Sequence, residues 1–150
     1  MLSTVLEFTF TADLAPVLDV GKTPAGRRVA YVVSGGEVRG HRLSGILLPG
    51  GSDWMTHTGD GFAEIDVRAQ IRTDDDAVIL MSYRGALEVT EAIKRAPQGI
   101  ATDFDDQYYR CTPRLETGSA AYAWVNHTIF VSRGRLLPGP AVEYEVYRVA

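Results

Sequence analysis

The sequence contains little of what disulfide frameworks, metal centres and phosphate-binding loops require. Its 150 residues include one cysteine and three histidines, so no disulfide can form within the chain and no cysteine-based metal site is expected. His41, His57 and His127 lack the spacing of common zinc ligands. The glycine-rich bend 49–52 lacks the Lys-Ser/Thr ending of a phosphate loop. We therefore predict neither a metal nor a cofactor.

Clustered positive charge and long apolar runs are also missing. The chain carries 15 basic and 19 acidic residues, for a net charge of −4, which argues against nucleic acid or an anionic membrane surface as a partner. No stretch approaches the length of a membrane span. The first residues alternate and include acidic side chains, unlike a secretory signal. We expect a cytoplasmic protein.

Alternation with a period of two is the dominant pattern in the sequence. In Val5–Ala12, apolar side chains occupy every second position, and Phe62–Ile71 alternates almost without fault. Such alternation predicts half-buried β-strands. Further β-rich runs are Arg27–Val33, Val38–Leu48, Ala77–Tyr83, Tyr108–Leu115, Ala121–Val131 and Val142–Val149.

Short connections separate these runs, and no linker or repeat divides the chain. The segment from Gly85 to Asp106 contains the one predicted helix, of one or two turns within Ala86–Lys94, with Pro97 beyond it as a stop. We therefore predict a single all-β domain, residues 1–150, of about eight or nine strands. An antiparallel up-and-down β-barrel or a closely related sandwich fits this pattern, and an eight-stranded barrel can hold one small ligand.

Four blocks of the sequence carry a family resemblance. They are GGxVxGxRLxGxxLPGGxDW at Gly35–Trp54, DGxxxxDxRxxxxTDDxAxIxxxYxG at Asp60–Gly85, YxWxNxxxFVxxGR at Tyr122–Arg135 and VxYxVYRV at Val142–Val149. In this order they resemble the domain of unknown function 3237 family. The resemblance implies a compact β-barrel, lipocalin-like or allene-oxide-cyclase-like in shape, in a family whose members mostly lack an assigned activity.

Two aspartates are the candidate catalytic residues. Asp53 follows the Pro-Gly-Gly bend, where it can cap the turn or face a cavity as a general acid/base. Asp66 shares one strand face with Glu64, Arg68 and Gln70. That face is either the solvent side of an ordinary strand or the lining of a barrel, in which case a desolvated Asp66 could transfer protons.

The candidate ligand-binding residues combine guanidinium, aromatic and amide groups. Arg42 and Arg68 could orient a carboxylate, phenolate or enolate and stabilise negative charge. Aromatic side chains provide flat surfaces for a ligand, and an alternating strand over Ala121–Val131 would place an amide beside them. These further candidates are Trp54, Tyr83, Trp124 and Asn126.

Three functions compete on this sequence. The first is a cofactor-independent lyase, isomerase or cyclase that acts on a small apolar or aromatic metabolite, with Asp53 and Asp66 exchanging protons. The second is a non-catalytic carrier that uses the same pocket, and a third is a structural domain whose own aromatic side chains fill the barrel. Strands with two apolar faces would favour a homodimer that covers the outer face.

Overall fold

A computed structural model describes residues 1–150, most of which lie in β-strands. The twelve strands are β1 (Thr4–Leu14), β2 (Leu18–Thr23), β3 (Gly26–Gly35), β4 (Glu37–Gly40), β5 (Gly45–Leu47), β6 (Ser52–His57), β7 (Phe62–Thr73), β8 (Val78–Glu88), β9 (Tyr109–Cys111), β10 (Arg114–Glu116), β11 (Phe130–Leu137) and β12 (Ala141–Val149). One short α-helix, α1 (Glu91–Arg95), continues into a 3₁₀ turn, Ala96–Gln98, and a second 3₁₀ helix spans Ala120–His127.

Antiparallel pairing joins all the strands into one sheet that closes on itself. The strand order is β10-β8-β9-β11-β12-β1-β4-β5-β7-β6-β3-β2, and β7 also pairs with β8 while β1 also pairs with β3. The β7–β8 pairing closes a ring of eight strands, which confirms the predicted antiparallel barrel. Two pairs of strands connect β1 to β7. β4 and β5 form the wall of one half of the barrel, and β3 and β6 form the wall of the other half.

One core of 23 buried residues fills the barrel, and most of them lie on the inward faces of the strands. On β7 the apolar positions from Ala63 to Ile71 point inward, and Glu64 and Arg68 are exposed. The alternative in which the polar face of this strand lines the barrel is therefore wrong. Burial of the apolar face stabilises the fold, whereas burying several charged groups without partners would cost free energy.

Strand pairing shortens the predicted helix and adds one strand to those that the sequence indicated. The predicted helix within Ala86–Lys94 begins only at Glu91, after Thr90 as its N-cap, because β8 continues to Glu88 by pairing with β9. Strand β2 (Leu18–Thr23), which pairs with β3, is not among the β-rich runs that the sequence indicated.

The predicted strand over Ala121–Val131 is also wrong in its first half. Residues 120–127 form the 3₁₀ helix, and β11 begins at Phe130. The side chain of Asn126 accepts a hydrogen bond from the backbone N–H of Thr117 at 2.8 Å and donates one to its carbonyl at 3.0 Å, and Val125 inserts into the core. These contacts hold the segment as a helix across one end of the barrel. No helix of the protein is long and apolar enough to cross a membrane.

Candidate active site

A cavity of about 450 Å³ occupies the half of the barrel enclosed by β3 and β6. Of its 22 lining residues, 17 are hydrophobic. The lining includes no lysine, arginine or histidine, and Asp53 is its one charged residue. Ile93 of α1 and the loop after β11 complete the wall. A volume in this range and an apolar lining with a few polar groups are typical of pockets that bind small molecules in other proteins.

Asp53 is held in the cavity by the glycine bend and by two neighbouring strands. Gly50 has a φ of 111°, and a Cβ on Gly51 would lie 2.6 Å from the carbonyl oxygen of Arg68, so β6 approaches β7 closely just before Asp53. On β6, Asp53 pairs with Tyr31 of β3 and with Val67 of β7.

The environment of Asp53 favours its protonated form. The residue is 8% exposed, and its Oδ1 accepts a hydrogen bond from the backbone N–H of Asp66 at 3.1 Å. Burial raises the pKa of Asp53 from 3.8 to about 7; the bond from Asp66 opposes this rise and the nearby charge of Asp66 adds to it. A carboxyl that titrates near neutral pH can both accept and donate a proton there.

Tyrosine hydroxyls supply the other polar groups of the cavity. Tyr109 and Tyr144 share a hydrogen bond between their hydroxyls, and the ring of Tyr83 packs edge-on against Tyr144 at 5.2 Å between centroids. Phe10 stacks on Tyr144 with 4.7 Å between ring centroids. Burial raises the pKa of all three tyrosines well above 10, so each remains a neutral phenol, although the bond between Tyr109 and Tyr144 already uses one of their two O–H groups.

Tyr31 extends this polar set from the opposite wall. It is half-buried, and its pKa is raised by burial and, secondarily, by the negative charge of Asp53. One buried carboxyl with a raised pKa and several neutral phenols thus share an otherwise apolar cavity. Such an arrangement can move a proton on a bound molecule and stabilise negative charge on its oxygen.

The structure brings together two of the residues that the sequence suggested, Asp53 and Tyr83. Asp66 lies on the outer face of β7, where its carboxylate pairs with Arg84 at 3.4 Å, and only its backbone N–H contacts Asp53. Arg68 is exposed on the same outer face, and Trp54 is 62% exposed. The expectation that these three side chains face the cavity is corrected, because strand alternation directs them outward.

The other three predicted residues lie away from the cavity. The guanidinium of Arg42 stacks over Trp124, 3.7 Å from the ring centroid, and Asn126 is engaged by Thr117. Sequence reasoning missed Tyr31, Tyr109 and Tyr144. A sequence signal existed for Tyr144, because alternation places it on the same strand face as Val146. In the structure both side chains are buried.

Comparisons with known proteins agree with the barrel. The family model described as a protein of unknown function (DUF3237) matches residues 2–149. A conserved protein of unknown function from Rhodopseudomonas palustris is 30% identical, with a TM-score of 0.91 over 100% of this chain and 99% of that one. A beta-barrel like protein from Acinetobacter baumannii is 33% identical, with a TM-score of 0.85 over 100% and 97%.

A more distant structure shares the fold alone. An enzyme from Penicillium herquei is 21% identical, with a TM-score of 0.66 over 98% of this chain and 95% of that one. The family match covers nearly the whole chain, and the protein belongs to the DUF3237 family.

Proposed function

We propose that the protein is a cofactor-independent acid/base enzyme of the lyase, isomerase or cyclase type, acting on a small, uncharged, mostly apolar molecule that carries an oxygen. The observation that carries this proposal is Asp53, a buried carboxyl with a pKa of about 7 in a cavity of about 450 Å³. A general base or acid works best when its pKa lies near the working pH, since both protonation states are then populated.

The lining supports an uncharged substrate. A carboxylate or phosphate in this cavity would lose its hydration without gaining a cation, because no lysine, arginine or histidine lines the wall. The ionised form of Asp53 would also repel it. A neutral ketone, enol or phenol avoids both costs, and its ring or chain can pack against the aliphatic wall.

The reaction step follows from the groups present. The Asp53 carboxylate takes a proton from a carbon or hydroxyl of the substrate, and the electron pair left behind shifts towards the substrate oxygen. Phenol groups of Tyr83 or Tyr31 donate hydrogen bonds to that oxygen and stabilise its developing charge. Asp53 then returns the proton at a second atom, so that acid and carboxylate forms alternate within one turnover. The backbone N–H of Asp66 positions the carboxyl for both steps.

Solvent deuterium exchange tests the proposal. Purified protein is incubated in D₂O with neutral aryl ketones such as 1-tetralone and 2-tetralone, and deuterium at the α-carbon is measured by mass spectrometry. We expect exchange above the buffer rate, a loss of at least about 100-fold in Asp53→Asn, and a change of less than about threefold in the outward-facing control Asp66→Asn, which keeps the backbone N–H.

The carrier alternative predicts a different pattern for the same variants. The apolar wall alone would bind a neutral ketone, so Asp53→Asn would retain ligand affinity, and the wild-type protein would show no exchange above buffer. That outcome would contradict the enzyme proposal and favour a carrier. Equal exchange in wild type and Asp53→Asn would contradict the role of Asp53.

A further inference from the structure

A second cleft lies at the opposite end of the barrel from the cavity. The cavity contacts Ala12 and Leu14 near the end of β1, whereas this cleft is built around Glu7 near its beginning. Five to seven residues of a strand separate these positions, which corresponds to about 20 Å. The two sites therefore have separate walls and can be altered independently.

Glu7 is aimed into this cleft by an irregularity in the β1–β12 ladder. Leu6 pairs with Tyr147 and Phe8 with Val146, so that Glu7 has no partner of its own on β12. Bulges of this kind redirect a side chain and are common beside functional sites. The side chain of Glu7 is only 8% exposed, although the residue carries a charge.

Two arginines meet at the Glu7 carboxylate. Arg42 contacts both of its oxygens, at 2.5 Å through Nη2 and at 3.3 Å through Nε, and Arg148 Nε lies 2.8 Å from Oε1. The Arg42 guanidinium also stacks on Trp124 at 3.7 Å. These contacts fix the planar guanidinium groups, which reduces the conformational entropy lost when they bind a ligand.

The cleft retains unused positive charge and unused donors. Among the cleft's own side chains, the one Glu7 carboxylate balances only one of the two guanidinium groups. Nη1 of Arg42 and both terminal nitrogens of Arg148 make no hydrogen bond within the chain. Beside them, Ile129 is 68% exposed and forms an apolar margin of the cleft.

We propose that this cleft binds an oxyanion, a carboxylate or phosphate attached to a small apolar group. The free N–H groups of Arg148 and Arg42 would donate charge-assisted hydrogen bonds to the oxyanion, while Ile129 would contact its apolar part. Glu7 holds the two arginines in place. The proposal assigns Arg42 and Trp124 to a ligand site separate from the Asp53 cavity.

Fluorescence of Trp124 measures this binding directly. In the Trp54→Phe background Trp124 is the one tryptophan, so its emission reports on the stacked arginine. The protein is titrated with benzoate, phenyl phosphate and neutral benzyl alcohol, with sodium chloride added to hold the ionic strength constant. We expect a saturable change with benzoate, phenyl phosphate or both, which identifies the preferred oxyanion, and none with benzyl alcohol.

Variants separate an anion site from a structural ion pair. Arg148→Gln should raise the dissociation constant at least about tenfold, since a charge-assisted hydrogen bond is lost. Arg148→Lys should raise it less, because the charge remains. Arg39→Gln serves as a matched control, because Arg39 is exposed and pairs with Glu37 away from the cleft. Asp53→Asn should leave anion binding unchanged whatever the fate of the proposed enzyme function.

Three results would overturn the proposal. The first is the absence of a saturable response up to about 10 mM of either anion, a range that includes weak sites. The second is an equal response to benzyl alcohol. The third is equal anion affinity in wild type, Arg148→Gln and Arg148→Lys. If Arg148→Gln lowers the melting temperature so far that it cannot be titrated, the comparison of Arg148→Lys with Arg39→Gln decides the question.

Discussion

Replacing Asp53 by asparagine should change how the stability of the protein depends on pH. Asparagine resembles the protonated aspartate: it is uncharged and retains an oxygen that can accept the hydrogen bond from Asp66. In the wild type, burial raises the pKa of Asp53 from 3.8 to about 7. Each pH unit between those two values is worth about 1.4 kcal/mol, so the ionised form costs the folded state up to about 4 kcal/mol.

The sign follows from proton binding. Because the folded pKa is the higher one, the folded state binds the proton more tightly than the unfolded state does. The stabilisation from protonated Asp53 is fully present below about pH 4 and is lost as the pH rises through about 7. The free energy of unfolding of Asp53→Asn, minus that of the wild type, should therefore increase by up to about 4 kcal/mol between about pH 4 and about pH 8.

Urea denaturation of both proteins across this pH range provides the assay. Subtracting the two curves removes the contributions of all other titrating groups that the substitution leaves unchanged. A difference that rises and then reaches a plateau above about pH 7.5 would agree with a raised pKa at Asp53. Two curves that stay parallel from pH 4 to pH 8 would refute the buried-carboxyl reasoning on which the site rests.

Two further substitutions test the cavity wall and the barrel. Tyr83→Phe removes a phenol that is proposed to stabilise the substrate oxygen; we expect ketone exchange to fall by about 10-fold or more and stability to change by about 1 kcal/mol, and an unchanged exchange rate would separate this phenol from the reaction. Gly85→Ala places a Cβ against the carbonyl oxygen of Arg110 and the sulfur of Cys111; urea denaturation should show a loss of about 2–4 kcal/mol, whereas Gly118→Ala, which has open space around it, should be tolerated.

Alternation along the chain was sufficient to predict most of the barrel. The β7 pattern, for example, corresponds to a strand with one buried face from Ala63 to Ile71. Alternation was misleading at residues 120–127, where the larger side chains of Tyr122 and Trp124 alternate with those of Ala121, Ala123 and Val125. There the hydrogen bonds between Asn126 and Thr117 and the burial of Val125 decide the conformation, and these contacts depend on the tertiary fold.

The candidate site was only partly predictable for a related reason. Asp53 could be selected because a glycine bend precedes it, and Tyr83 because it lies on an alternating strand. The choice of Asp66 depended on which face of β7 points inward, and a period of two does not decide that. Tyr31 and Tyr109 reach the cavity through strand pairings with β6 and β8, which are distant in sequence.

Arg42 and Trp124 show a different limit of sequence reasoning. Both were suggested as ligand-binding residues, and the structure places them together, but at the end of the barrel opposite Asp53. Residue type indicated the chemistry of a binding group. Only the bulge at Glu7 and the closure of the barrel determine which cavity or cleft that side chain faces.

Native mass spectrometry of freshly purified protein tests the central claim most directly, that the Asp53 cavity binds a small uncharged molecule. The comparison uses wild type, Met55→Trp, which adds a ring at a cavity-lining position of β6, and Trp54→Phe, which alters the outward-facing neighbour. We predict a bound species of defined mass, either retained from the cell or added as 2-tetralone, in wild type and Trp54→Phe and its absence in Met55→Trp. Equal occupancy in all three proteins, or none in wild type after addition of neutral ligands, would contradict the account.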